Sequence, residues 1–342
     1  MRFAIGYQLP TAQEEPFSAL CERYREHIAE VYFAWADMPS GRSPISTREG
    51  YTDWSGIRRM TEDLLRIKRL GIRLDLLFNA NCYGADAISY ELRNRVCSVI
   101  DYLGNEVGGV DVVTTTSPFI ADTVKKLYPH IEVRASVNLG IGTPKAMSYD
   151  ADLFDSFYLQ REYNRDFAAI KAARAWCDAN GKKLYMLANS GCLNFCTSHI
   201  FHDNMVAHEQ QIGKTRNVDD FIPYTCWRYL KDREHWHVVL QGSWVRPEDI
   251  SRYEDFFPVV KLATRMHSSP EMVLDAYVRG SFYGNLPDLF EPSFSRAFAP
   301  FVLDNSRIPA DFFRATSQCA KNCTECDYCK QVFENALVDT KD

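Results

Sequence analysis

Short apolar runs alternate with longer amphipathic stretches from Met1 to about Gly280. The apolar runs read as strands at Phe3–Gln8, Val31–Trp35, Leu74–Phe78, Val110–Thr115, Glu132–Val137, Ser156–Leu159, Leu184–Ala188 and Val259–Leu262. Between them, WSGIRRMTEDLLRIKRLG and NRDFAAIKAARAWCDANG carry apolar positions at helical spacing. Both end on glycine, where a helix C-cap is expected. Repeated strand–helix alternation predicts parallel strands joined by right-handed crossovers. Eight such runs fit a closed α/β barrel, (β/α)8 and TIM-like, better than an open doubly wound sheet. The G-x-G at Gly140–Gly142 follows a strand but lacks a third glycine and a helix signal, so no dinucleotide site is read there.

Two segments break this rhythm. Cys192–Arg246 is a long excursion after the seventh strand, rich in His, Trp and Tyr. Loops longer than about 12–15 residues are usually lids or binding elements. The second segment follows Gly280 and holds many aromatics, several prolines and a cysteine cluster. The expected division is a barrel over residues 1–282, including the excursion 192–246, and a cysteine-rich extension over 283–342.

Composition narrows the function. With 46% hydrophobic and 25% charged residues, the 342-residue chain has ordinary globular character. A formal net charge of −6 gives no strong general nucleic-acid-binding signal. The opening MRFAIGYQLP lacks the pattern of a secretion signal, and no apolar run reaches the roughly 18 residues of a membrane span. A cytoplasmic location is therefore expected. Eleven cysteines then need a reason, because disulfides are rare in a reducing cytosol and spaced thiols are read first as metal ligands. Cys21, Cys97 and Cys177 lie on helical patterns and are expected to be small buried hydrophobes.

The other eight form two constellations. Cys319-x3-Cys323-x2-Cys326-x2-Cys329 packs four thiols into eleven residues. Zinc sites usually pair two knuckles across a longer loop, whereas dense C-x2-C-x2-C runs suit the separated corners of a [4Fe–4S] cube. Iron–sulfur is the expected content of this run, with zinc as the alternative. Its C-x3-C-x2-C portion matches radical S-adenosylmethionine spacing, but it lies after the last strand rather than the first, with Glu325 where an aromatic is usual. The second set is dispersed: Cys82 follows the third strand, Cys192 and Cys196 follow the seventh, and Cys226 lies in the excursion. Strand C-termini of a parallel barrel open on the face that carries chemistry. One rim is therefore expected to hold Cys82 and the Cys192/Cys196 pair, with Cys226 folded over it.

The segment LANSGCLNFCTSHIFHDN resembles the peptidase U32 family of collagenase-like proteins and their relatives. GSWVRPEDISRYEDFFPVVKLATR is similar to that family's polar turn, helix and final strand ending in a Lys…Arg pair, here Lys261 and Arg265. The tail run resembles an appendage of some members. These motifs cover about a fifth of the chain, and the likeness in architecture covers roughly residues 1–330. The resemblance implies a TIM-like barrel. Several members hold a [4Fe–4S] cluster on four cysteines and act in oxygen-independent hydroxylation of quinone precursors or RNA bases; others are described as proteases. Carried onto this chain, it implies Cys192 and Cys196 as ligands, with Cys82 and Cys226 completing the set. The long protease-associated signature of the family is absent.

The excursion also holds His199, His202, Asp203, His208, Glu209, His235 and His237, suited to proton transfer beside a cluster. His202 and Asp203 lie inside the family-like motif and are the expected catalytic pair. Lys261 and Arg265 are expected at the same rim, either binding an anionic substrate group or forming a salt bridge that helps close the barrel. No G-x-S-x-G, H-E-x-x-H or P-loop occurs. The leading expectation is an iron–sulfur enzyme carrying one or two [4Fe–4S] clusters, acting on an aromatic or nucleotide-like small molecule. The alternatives are a peptidase, in which Cys192 pairs with a histidine, and a non-catalytic iron–sulfur subunit serving a protein partner or electron donor.

Overall fold

The computed structural model describes residues 1–36, 38–41 and 53–341. Eight parallel strands close into a barrel in sequence order: β1 (Phe3–Gly6), β2 (Ile28–Ala34), β3 (Arg73–Phe78), β4 (Val112–Thr115), β5 (Glu132–Ala135), β6 (Ser156–Tyr158), β7 (Lys183–Leu187) and β8 (Val260–Lys261). The short β8 completes the ring, pairing Val260 and Lys261 with Phe3 and Ala4 on one side and with Met186 and Leu187 on the other. This is the (β/α)8 architecture.

The outer helices form where the pattern places them. Helix Trp54–Arg69 starts at Asp53, whose carboxylate accepts the Gly56 N–H at 2.9 Å, and it buries Met60, Leu64 and Ile67. Gly71 then turns the chain at φ +79°, a conformation that Cβ sterics disfavour in other residues. Helix Phe167–Ala179 repeats the scheme, with Asp166 as N-cap and Ile170, Ala173 and Cys177 buried. Cys21 and Cys177 are buried as core thiols, while Cys97 is only half-buried. Among the described residues, no helix is long and apolar enough to cross a membrane.

The excursion is not a structureless loop. It contains helices His199–Ala207 and Thr225–Tyr229, followed by a 3-10 stretch at Arg233–Gln241. The tail contributes β9 (Phe301–Leu303) and β10 (Leu337–Asp339), which pair antiparallel, and the helix Tyr328–Ala336 before β10. Trp244 of the excursion stacks on Phe290 at 4.6 Å and on Phe312 at 5.9 Å. Phe290, Phe298, Phe312 and Phe333 thereby join the same apolar core as the barrel helices. Residues beyond 282 pack continuously with the excursion and are held over the barrel by it.

The barrel interior is charged. Glu30, Asp75 and Arg134 are almost wholly buried there. Arg134 forks onto Glu30 at 2.5 and 3.1 Å, reaches Glu132 at 2.9 Å, and lies 3.9 Å from the centre of the Tyr185 ring. Lys261 adds its ammonium 3.7 Å from the centre of the Tyr32 ring. Burial, then the Glu30 charge, pushes the Asp75 carboxyl upward; burial pulls the Lys261 ammonium downward. A carboxyl raised above its unfolded value stabilises the fold most when protonated. That contribution fades as pH climbs from about 4, where the unfolded-state group ionises. Asp75→Asn is expected to remove this decline. Urea titrations at about pH 5 and about pH 8 should show the variant gaining on the wild type as pH rises. A pH-independent difference would contradict the assignment.

A thiol cluster at the barrel mouth

The chain leaves β7 through Ala188–Gly191, which is clamped to the tail. Asn189 donates to Leu289 O at 2.9 Å and accepts the Ala263 N–H at 2.6 Å. Gly191 donates to Glu291 O at 3.0 Å, and a Cβ built on it would come within 2.1 Å of Pro292 O. Only glycine permits that approach. Cys192 follows immediately, so its position is fixed by two chain segments. Between Cys192 and Cys196, Phe195 adopts φ +51°. A left-handed non-glycine residue carries strain that the surroundings must hold, and such residues gather at functional sites.

Three of the four dispersed cysteines come together. Cys196 O accepts the His199 N–H at 3.1 Å, at the start of helix His199–Ala207. Thr225, next to Cys226, donates to Ser198 Oγ at 2.7 Å, which brings Cys226 to the same helix end. Cys192 accepts from Arg161 Nη1 at 3.3 Å, and Arg161 Nη2 lies 3.0 Å from His199 Nε2. Burial, then the neighbouring Cys192 and Cys196, pushes the Cys226 thiol up to about 11. The partial positive charge of a helix N-terminus and the Arg161 guanidinium both favour negative charge here.

Cys82 lies elsewhere. Its sulfur accepts the Gly84 N–H at 3.4 Å and pairs with the His208 ring, just beyond the C-terminus of the same helix. Nine helical residues span about 13 Å, so one helix separates Cys82 from the other three thiols.

The proton-handling pair also differs from expectation. Asp203 is buried, and its ion-pair partner is His199, with Nε2 3.2 Å from Oδ2, where His202 was expected. A second donor, Asn81 Nδ2, meets the same oxygen at 3.2 Å. His202 instead turns its ring edge to Tyr224, with centroids 5.1 Å apart. Both residues are in the sequence motif; the helical spacing of four from His199 to Asp203 was the signal for the true pair. Arg161 and Asn81 carry no sequence signature and were not anticipated. His235 stacks on Tyr229 at 3.8 Å.

Lys261 is not presented at the rim as an anion-binding group, because its ammonium is drawn into the barrel toward Asp75 and Glu30. Strand alternation explains this: a strand residue points either inward or outward, and Lys261 points in. Arg265 is mostly buried and donates to Ser40 Oγ at 3.0 Å.

The tail run wraps against the excursion. Cys319, Cys323 and Cys326 are exposed and Cys329 is half-buried. Burial pushes the Cys329 thiol up to about 11; Arg165 opposes that shift, while the other three tail thiols add to it. Lys321, between Cys319 and Cys323, has φ +58°, matching the left-handed turn at Phe195 in the other C-x3-C loop. Cys319, Cys323 and Cys329 share a cavity of about 270 Å3 with Asn194 and Phe195. A second cavity, about 230 Å3, is walled by Cys226, His202, Tyr224, Trp227 and Glu291. Among the described residues, no three His, Cys, Asp or Glu side chains converge tightly enough to chelate a single ion.

No family model matches the chain. Over 309 residues, 84% of this chain and 87% of the relative, it is 26% identical to a Methanocaldococcus jannaschii protein named as the uncharacterized protease MJ1657. Among solved structures, the U32 peptidase Mk0906 superposes with a TM-score of 0.54 at 17% identity, covering 76% of this chain and 91% of that one. That likeness carries the barrel fold. Over most of its length the chain is thus similar to a protein named as a protease, and its barrel is similar to that of a U32 peptidase.

Proposed function

We propose that the protein is an iron–sulfur enzyme holding a [4Fe–4S] cluster on Cys192, Cys196 and Cys226, with a second cluster on the tail cysteines. The observation that carries this reading is the gathering of three thiols, with one guanidinium, at one helix N-terminus over the barrel mouth. The donor chemistry fits the group. Burial and the neighbouring Cys192 and Cys196 all oppose a thiolate at Cys226, a cost that a bound, multiply charged metal centre would offset. A cube spreads its corners, so it does not require the tight convergence of a single-ion site. When bound, the cluster would supply electrons, or Lewis acidity at an iron left without a protein ligand.

The chain's own residues would handle protons and orientation. His199 Nε2 lies between a donor, Arg161, and an acceptor, Asp203. One nitrogen cannot accept and donate at once, so it accepts from Arg161 when bare and donates to Asp203 when protonated. This gives a two-position proton site one residue from the Cys192 sulfur. The aromatic walls of the 230 Å3 cavity suit a flat aromatic or nucleotide-like substrate. Oxygen-independent hydroxylation, or another redox step on such a ring, is the reaction class supported by the family resemblance. His199→Ala is expected to keep its iron while turnover falls by about 100-fold or more. Iron lost with His199 would place that ring among the ligands instead.

Peptide hydrolysis is the second reading. It is supported by the protease name of the M. jannaschii relative and by the thiol–imidazole pair at Cys82.

A further inference from the structure

The C-terminal end of helix His199–Ala207 carries a second arrangement that the thiol cluster does not use. His208 Nδ1 lies 2.7 Å from Gln211 Oε1. If Nδ1–H donates to that amide oxygen, the other ring nitrogen is left to face Cys82, and the two side chains are hydrogen-bonded. The Gly84 N–H donates to the same sulfur at 3.4 Å, and the His208 ring packs over Gly84, where an added Cβ would stand 3.7 Å from Cε1. A nucleophile, a base hydrogen-bonded to it, and an amide that orients the base are the three parts of a thiol acyl-transfer site. They open into a cavity of about 520 Å3, larger than the one beside Cys226. Its charged walls include Asp86, Arg95 and Glu209.

We infer that Cys82, His208 and Gln211 form a nucleophilic thiol site that cleaves a peptide amide bound in the 520 Å3 cavity. This deepens the peptidase reading and rests on it; it is separate from the iron–sulfur site. The Cys82 sulfur attacks the amide carbon, forming a C–S bond as the C–N bond breaks. The leaving amine nitrogen takes its proton from His208. Water then adds to the thioester carbon and gives a proton to His208; the C–S bond breaks and Cys82 departs as thiolate, leaving an acid and an amine. Hydrogen bonding to His208 lowers the Cys82 thiol, and the same bond raises the His208 ring, which is the shared bias a thiolate–imidazolium pair requires.

The test is site-resolved alkylation. Protein prepared without oxygen, iron-loaded and iron-free, is treated with iodoacetamide near pH 6, and labelling at each cysteine is read by peptide mass spectrometry. Cys82 is expected to react at least about 10-fold faster than half-buried Cys97, equally with and without iron, and to fall to the Cys97 rate in His208→Ala. Protection of Cys82 by iron would make it a cluster ligand and overturn the inference. So would a rate that ignores His208→Ala. Casein-derived fluorogenic peptides separate the inference from the reading. Hydrolysis lost in Cys82→Ala supports both. Hydrolysis that survives Cys82→Ala keeps the peptidase reading and removes this site from it. If no peptide is cleaved, the peptidase reading fails; trapping of a Cys82 acyl adduct from an activated peptide ester would still support the nucleophile, and its absence would sink both.

Discussion

Replacing Cys192 and Cys196 together by serine is expected to remove one cluster's worth of metal, about four iron and four sulfide per chain, and to leave the tail cluster in place. The reason is geometric. Cys192 is fixed by the Gly191–Glu291 and Asn189–Ala263 bonds, and the Cys196 carbonyl accepts the His199 N–H at the start of the helix His199–Ala207. Serine oxygens are harder, far less readily ionised donors, and Cys226 alone cannot hold a cube. The Cys323→Ser, Cys326→Ser pair should do the converse, removing only the tail iron. Loss of all iron from either double variant would mean that the two sets share one site. Metal analysis of anaerobically reconstituted protein reads both outcomes.

The second large effect concerns stability. Arg134→Ala is expected to destabilise the fold by about 3–5 kcal/mol, because it strands buried carboxylates without their counter-charge. Arg134 is the hub: it meets Glu30 twice, Glu132 twice and Ser156 Oγ at 3.2 Å, and it lies against two tyrosine rings. Glu132 is held well below the ordinary carboxylate range chiefly by the Arg134 charge against the opposing cost of burial, with Lys183 also bonded to it. Chemical denaturation of the variant measures the loss. A change under about 1 kcal/mol would mean that water or Lys261 takes over the neutralisation, and the interior would not depend on this cation.

The strand pattern made the barrel legible because buried parallel strands are near-continuous apolar runs, and helices between them repeat at 3.6 residues. Seven of the eight expected runs overlap strands of three or more residues, and the last shortens to Val260–Lys261 at the closure. The charged interior was not anticipated, although Glu30 in IAEVYFA and Asp75 in RLDLLF interrupt apolar strands. A single charge in such a run reads as outward-facing until the neighbouring strand's partner is known, and that partner is a long-range fact. The same blindness put Lys261 at the rim. For the site, the C-x3-C spacing marked Cys192 and Cys196, since local spacing places thiols locally. Cys226 joined them through Thr225 and Ser198, 27 residues apart. Cys82 shared the expected face but went to the opposite end of one helix, a distinction that strand order alone does not make.

The central claim is that the thiols at the barrel mouth hold an iron–sulfur cluster. The direct measurement is the iron and acid-labile sulfide content of wild-type protein purified without oxygen, with its visible spectrum. The expected result is brown protein absorbing near 400 nm, with about eight iron and eight sulfide per chain, or about four of each if only one cube assembles. Colourless protein carrying stoichiometric zinc and no sulfide would contradict it.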